Sequence, residues 1–397
     1  MGVDRAAGAE ASGAGSGVLQ WAISRAARSF GRYGGVFLQA TSTFDDSLLF
    51  AGAAGFLTTG SMARVSINDA FEVASVTKMV TATVVLQLVE EGHLQLDQYW
   101  ASVGNGAVAG NVQEHVPAWP ARFSNVTVMQ LLQHTSCLPN YWEDGSDFVK
   151  AFEAKPDRVW QTWELLSYAA AMQTPCEQRD RGKESAFHYA DTNYLLLGLM
   201  VEHLTSKPLP AAFRDRVFTP AGMSRQGTYC KFLEGRPQDA PPLAARYMGT
   251  MQLTGQKRHS ADSFAAGGIV TTAEDLEKFM SALSSGRLFQ GGTSTLQKMQ
   301  SWVPAKRGPG FWYGLGVMKI DLAGFSSPFS PFRPEGYIWG HEGFGGAFAW
   351  NWVPTSAPGM VITGTTNNEQ RSYMDLVLAV LQSTQARGSL RGTGVQP

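Results

Sequence analysis

The chain has 397 residues, 44% of them hydrophobic and 16% charged, which is enough to fill a sizeable core in one or two domains and too apolar for general disorder. Lys and Arg total 32 against 33 Asp and Glu, a formal net charge of −1. No strong field selects nucleic acid or an anionic membrane as a partner.

The first 17 residues, MGVDRAAGAEASGAGSG, are small and polar and lack the apolar stretch of a signal peptide. They read as a mobile tail. The densest apolar run, YLLLGLM (194–200), is too short to span a bilayer. Cys137, Cys176 and Cys230 lie far apart without C-x-x-C spacing, and one must stay unpaired. That usage argues for a reduced compartment rather than a disulfide scaffold, and a soluble, cytoplasmic protein is the expectation.

From Val18 to Phe30 the apolar positions fall at helical spacing. GGVFLQA (34–40) and SLLFAGAAGF (47–56), parted by TSTFDD, read as a hairpin. Ser75 to Glu91 holds no Gly or Pro, and Gly92 is placed to close that helix in a left-handed conformation. Residues 99–125 read as loop, and VTVMQLLQHTS (126–136) as a short helix capped by Thr127. DTNYLLLGLMVEHLTS (191–206) and GGIVTTAEDLEKFMSALSSG (267–286) read as helices, the second with Thr271 and Glu274 at capping-box spacing. Past residue 310 come the strand-like runs WYGLGVMKI, GGAFAWNWVP and GMVITGTTNN, then a closing helix over 374–385.

Strands near both ends and helices between them imply an α+β fold. An antiparallel sheet built from the terminal segments would be flanked by helices, with a mainly helical region inserted and a cleft between the two parts. The lobes fall at about 18–95 with 265–397, and about 96–264.

Ser75-Val-Thr-Lys78 is the one S-x-x-K in the chain, at the head of its cleanest central helix. Residues three apart share a helical face, so the serine and the amine can touch. A serine hydroxyl needs a partner to take its proton, and a lysine can be that partner or assist another base. Taken alone, the spacing is better read as a helix cap and a solvated lysine, since it arises readily by chance. Tyr189 stands two residues before Asp191, where a tyrosine could act as base if positive charge lowers its pKa. It could equally be core, with Asp191 capping the helix; Tyr373-Met-Asp375 has the same spacing. His341-Glu-Gly343 is the one H-x-G, and Gly clustering at a strand start suggests a closely approached backbone. The His residues are scattered without ligand spacing, so neither metal nor cofactor is expected.

These motifs stand in the order S-x-x-K, Y-x-D, H-x-G. With LQLVEEGHLQLD, VTVMQLLQHTSCLPNY, YADTNYLLLGLMVEHLT, VFTPAGM, AAGGIVTTAEDLEKF and YGLGV, they resemble the serine β-lactamase-like hydrolases over nearly the whole chain. The nearer relatives are class C-type enzymes, family VIII carboxylesterases, D-aminopeptidases and Streptomyces-type DD-peptidases. The resemblance implies a β-lactamase/DD-peptidase-like fold with Ser75 as the nucleophile of an acyl-enzyme. Lys78 and Tyr189 would share the base and acid roles. His341 would stand where relatives carry the Lys or His of their third motif. The backbone N–H groups of Ser75 and Phe344, beside Gly343, would form the oxyanion hole. His134 and Thr135 match a structural turn of the family.

Three departures shape the substrate expectation. Asp191 stands where relatives often have Asn; facing Lys78, it would keep the ammonium and leave Tyr189 as the main base. Met318 stands where DD-peptidases hold a substrate carboxylate with arginine, although Lys319 could substitute by a register shift. Glu342 replaces a small hydroxyl residue. Cys137 occupies a usual glycine position of the HTS turn, read as needing no positive φ. Aromatic density near the third motif makes an apolar pocket if Trp339 and Phe344 reach the cleft. The expectation is an enzyme: a serine hydrolase of small neutral esters or amides, with substrate contacts at Asp191, Met318, Trp339, Glu342 and Gly343. Alternatives are an acyltransferase, a D-aminopeptidase or D-amino-acid amidase and, further off, a DD-carboxypeptidase, a β-lactamase or a non-catalytic binding relative.

Overall fold

The computed structural model describes residues 16–392 apart from 30, 32, 177–185, 306, 307, 309, 325–333, 356 and 357. The tail read over 1–17 lies outside the described residues except Ser16 and Gly17, which begin the helix Ser16–Arg28.

The described strands are β1 (Gly35–Ser42), β2 (Leu48–Gly55), β3 (Phe71–Glu72), β4 (Tyr229–Cys230), β5 (Tyr247–Met248), β6 (Met251–Gln252), β7 (Ile269–Thr271), β8 (Val303–Pro304), β9 (Phe311–Tyr313), β10 (Met318–Asp321), β11 (Tyr337–Gly343), β12 (Ala347–Val353) and β13 (Met360–Thr365). The main sheet runs β2-β1-β13-β12-β11-β10-β9-β8. Its pairings are antiparallel, and β1 registers on β13 with Phe37 opposite Thr365. The two ends of the chain therefore build one sheet. One face covers Ile23 and Leu19 of the first helix and Leu376, Val377 and Val380 of the closing helix Met374–Gly392. The other joins a core running through helix Thr77–Glu90 and helix Asp191–Thr205.

Local signals held at several ends. Thr127 caps Val128–Leu132 through a capping box with Gln130. Gly92, at φ 77°, follows helix Thr77–Glu90, and His93 N–H returns to Leu88 O at 3.0 Å. The segment 267–286 differs: Gly267 ends the short helix Phe264–Gly267, β7 follows, and the longer helix is Ala273–Ser284. Phe71 and Glu72 pair with Thr271 and Val270, so Thr271 is drawn into a strand and Thr272 caps Asp275 N–H instead. Sheet pairing overrode a capping box one residue out of register.

The cysteine reading is corrected. Cys137 and Cys176 are joined in a disulfide, their Cα atoms 5.4 Å apart, while Cys230 is free and buried. The fold closes the 39-residue separation that linear spacing left open, and the ground for expecting reduced thiols is gone. Cys137 also has φ 59°, so this position does require the left-handed conformation that a glycine would adopt at least cost. Among the described residues no helix is long and apolar enough to cross a membrane.

Candidate active site

β3 leads through Val73 into a 3₁₀ turn, Ala74–Val76, and then into helix Thr77–Glu90. Ser75 therefore sits in the turn and is not a helix cap. The residue before it, Ala74, is buried with φ 45°, a left-handed backbone that costs a residue bearing a Cβ of order 1–3 kcal/mol. The surrounding packing holds that strain. The helix that follows is buried on most of its surface, so Lys78 is wholly enclosed rather than solvated.

Lys78 Nζ donates to Ser75 Oγ at 2.9 Å and to Ala266 O at 2.9 Å, and pairs with Asp191 Oδ1 at 2.7 Å. The Tyr189 phenol also hydrogen-bonds to Lys78, so the three N–H bonds of the ammonium are shared among four acceptor groups. Burial pulls the Lys78 pKa down, but the Asp191 carboxylate and Tyr189 outweigh it and the net direction is up. Lys78 is thus a fixed cation. Asp191, the first residue of its helix after the cap Ala190, turns towards Lys78 instead of capping. Tyr189 lies against the ammonium, whose nitrogen is 4.9 Å from the ring centroid. Its phenol is raised, chiefly by burial; the Lys78 charge offsets this only in part. The expectation of a lowered tyrosine pKa fails, because the same burial that encloses the lysine also penalises a phenolate. The His134 ring packs tilted against that of Tyr189, centroids 4.3 Å apart, and its Nδ1 accepts from Ala190 N–H at 3.1 Å, bracing that turn.

The third motif closes the site from the sheet. A Cβ at Gly343 would fall 2.1 Å from Val73 O, so only glycine lets β11 end against the nucleophile turn. Phe344 follows, 41% exposed and lining the cleft. His341 is fully buried beneath this edge, with Nε2 3.0 Å from the Tyr313 hydroxyl and its ring 6.3 Å from that of Tyr189. It touches the tyrosine cluster and does not line the cleft. Trp339 does not line it either: it is 2% exposed and packs in the main core, because its turn of the strand alternation faces the helices. The assignment of Trp339 to substrate is corrected. Glu342 does line the cleft and accepts from the Tyr373 hydroxyl. Met318 lines it too. Lys319 alternates to the other side of β10, its nitrogen 4.9 Å from the Trp312 ring and 4.5 Å from that of Tyr337, so the register shift that would replace an arginine does not occur.

The cleft holds about 1020 Å³ and joins Ser75, Tyr189, Asp191, Met318, Glu342 and Phe344. Sequence reading missed much of its wall. The β5–β6 hairpin contributes Met248 and Met251, each 43% exposed, and the opposite side carries Trp142 and Phe152. Arg246, 2% exposed, lies under Phe344. Tyr373, met in the sequence only as a chance Y-x-D, is part of the wall. No local pattern marks Arg246 or the two methionines. Among the described residues no cluster of three or more His, Cys, Asp or Glu could hold a metal ion.

The architecture is that of the β-lactamase fold, with Ser75, Lys78 and Tyr189 grouped at its cleft. The family model described as Beta-lactamase matches residues 32–389, and the chain belongs to that family. Penicillin-binding protein 4 of Amycolatopsis lactamdurans is 31% identical over 189 residues, 48% of this chain and 44% of that protein, so the chain spans under half of that relative's length. Esterase EstB of Burkholderia gladioli is 24% identical over 364 residues, 80% of this chain and 82% of the esterase. The crystal structure of a D-stereospecific amidohydrolase from a Streptomyces species superposes with a TM-score of 0.65 at 25% identity, covering 91% of this chain and 97% of that one.

Proposed function

We propose that the chain cleaves a small neutral ester or amide through an acyl-Ser75 intermediate. The observation that carries the reading is Ser75 Oγ held at 2.9 Å by a buried Lys78 on the floor of an open, largely apolar cleft. Met318 supports a neutral substrate, standing where a carboxylate-binding arginine would be. The cleft's arginines already have internal partners. Arg246 pairs with Glu72 and Asp262, Arg258 donates to the Phe152 and Glu153 carbonyls, and Arg371 donates to those of Gly34, Thr366 and Ala27. Phe344, Met248 and Met251 form an exposed apolar rim suited to a bulky apolar group of the substrate.

The protons move as follows. As Ser75 attacks the carbonyl, Lys78 passes one proton to Asp191 and takes the serine proton, remaining cationic. The neutral Tyr189 phenol protonates the leaving group and is restored through Lys78 from Asp191. The net transfer is from Ser75 to the leaving group. The backbone N–H groups of Ser75 and Phe344 stabilise the tetrahedral oxyanion. Water, entering over the rim, hydrolyses the acyl group by the reverse relay.

Glu342 favours a second reading, an amidase for amine-bearing D-amino-acid derivatives, because it presents a carboxylate in the cleft. Mass spectrometry after incubation with p-nitrophenyl esters, a D-aminoacyl amide and a β-lactam separates the two. The ester reading requires an adduct on Ser75 and turnover with the esters, both lost in Ser75→Ala. Turnover confined to the D-aminoacyl amide selects the amidase, and faster flux on adding an acceptor alcohol selects a transferase. Turnover unchanged in Ser75→Ala rejects the nucleophile.

A further inference from the structure

The oxyanion hole proposed above draws on two chain segments, the Ser75 turn and the Phe344 loop. One buried side chain touches both supports. The stem of Arg246 lies on Gly345, directly after Phe344: a Cβ on Gly345 would fall 2.5 Å from Arg246 Cδ and 2.6 Å from Cγ. The guanidinium carbon lies 5.5 Å from the Phe344 ring centroid. At its far end Arg246 Nη2 meets Glu72 Oε2 at 3.3 Å, and Glu72 is the last residue of β3, three before Ser75. Arg246 Nη2 also meets Asp262 at 3.5 Å.

Glu72 is itself held from several sides. Lys231 Nζ and Thr254 Oγ1 each approach Oε1 at 2.7 Å, and Thr254 Oγ1 accepts from Arg246 N–H at 3.0 Å. The Phe344 loop is tied in turn by Gly345 N–H to the Glu369 carboxylate and by Gly346 O to Thr366 N–H at 3.1 Å. Arg246 is 2% exposed and Glu72 6%, so the pair is shielded from screening by salt.

We propose that Arg246 is a positioning residue for the oxyanion hole. Through Glu72 it fixes the height of the Ser75 turn, and through Gly345 and Phe344 it fixes the opposing N–H, so that both donors converge on one oxygen. It touches no reacting atom. This rests on the acyl-serine reading. Hydrogen-bond stabilisation of an oxyanion depends steeply on donor placement, and a shift of about 1 Å is enough to cost about 100-fold in rate.

The test compares the parent with Arg246→Met, Arg246→Lys and Glu72→Gln. A fluorophosphonate titrates active sites and reports the rate of Ser75 modification, while p-nitrophenyl ester turnover is expressed per titrated site. Arg246→Met is expected to lower kcat and the fluorophosphonate rate together by about 10- to 100-fold with KM within about threefold. Glu72→Gln should follow in the same direction, and Arg246→Lys, which keeps a cation beside Glu72, should recover part of the loss. A purely structural role would lower the titrated fraction and leave kcat per site at the parent value; that result overturns the proposal, as does a loss confined to KM. A parent labelled at Ser75 whose rate Arg246→Met matches rejects Arg246 alone. A parent that is neither labelled nor active rejects the acyl-serine reading, and this proposal with it.

Discussion

Asp191 Oδ1 lies 2.7 Å from Lys78 Nζ, closer than the 2.9 Å at which the same nitrogen holds Ser75 Oγ. The carboxylate keeps the buried amine protonated against a burial that would strip it. In Asp191→Asn the ammonium loses that support and sheds its proton at lower pH. The descending basic limb of the kcat/KM profile is expected to move to lower pH, with kcat reduced. Superimposable profiles for the variant and the parent would remove Asp191 from the proton relay.

Glu72 gives the fold a defined acid sensitivity. Burial pushes its carboxyl up, but Arg246 and Lys231 outweigh this and hold it at about 2, below the ordinary 4.5. A group depressed on folding stabilises fully above its unfolded pKa and loses that contribution as pH falls through the folded value. The melting temperature should therefore fall between about pH 4.5 and 2 more steeply in the parent than in Glu72→Gln. The two curves should converge at the acid end. Parallel curves would show that the Glu72 charge contributes nothing net.

The Cys137–Cys176 bond closes a loop of 39 residues' separation, which the chain-entropy account values at about 3–4 kcal/mol. Reduction should lower the melting temperature measurably under dithiothreitol. In a Cys176→Ala background, Cys137→Gly should be more stable than Cys137→Ala by about 1 kcal/mol, because φ is 59° there. Equal denaturant midpoints would show that the turn relaxes once the bond is gone.

The apolar rim predicts selectivity. Met248→Ala combined with Met251→Ala should lower kcat/KM for bulky apolar esters about tenfold, as expected for lost apolar contact. The acetate ester should change less than about threefold. Equal losses on both esters would place the bulky group elsewhere in the cleft.

The reaction centre was legible because its chemistry lies in short spacings. Ser75 and Lys78 share a helical face, and the elements bearing Tyr189 and Gly343 are marked by local pattern. What stayed hidden depends on contacts between remote segments. Trp339 stands in the core and not in the cleft because strand alternation cannot be phased from an aromatic-rich run. Thr271 lost its cap role to pairing with Phe71. The expected lowering of the Tyr189 pKa failed because sequence shows the neighbouring cation and not the burial. Arg246 carries no local signal; its partner Glu72 lies on a distant strand.

Gly343 rests against the Val73 carbonyl without a side chain between them, so the separation of nucleophile turn and sheet edge is set by backbone against backbone. Met248 and Met251 of the rim lie elsewhere, on the β5–β6 hairpin, secured through Tyr247 N–H to Asn367 O at 2.9 Å and Glu369 N–H to Tyr247 O at 3.1 Å. Two of the three rim side chains thus stand on a segment that holds neither Ser75 nor Gly343. Its tip at Gly249 and Thr250 is the part of that wall whose exchange should leave the Gly343–Val73 backbone contact in place, provided that Arg246 and Thr254 at its base are kept.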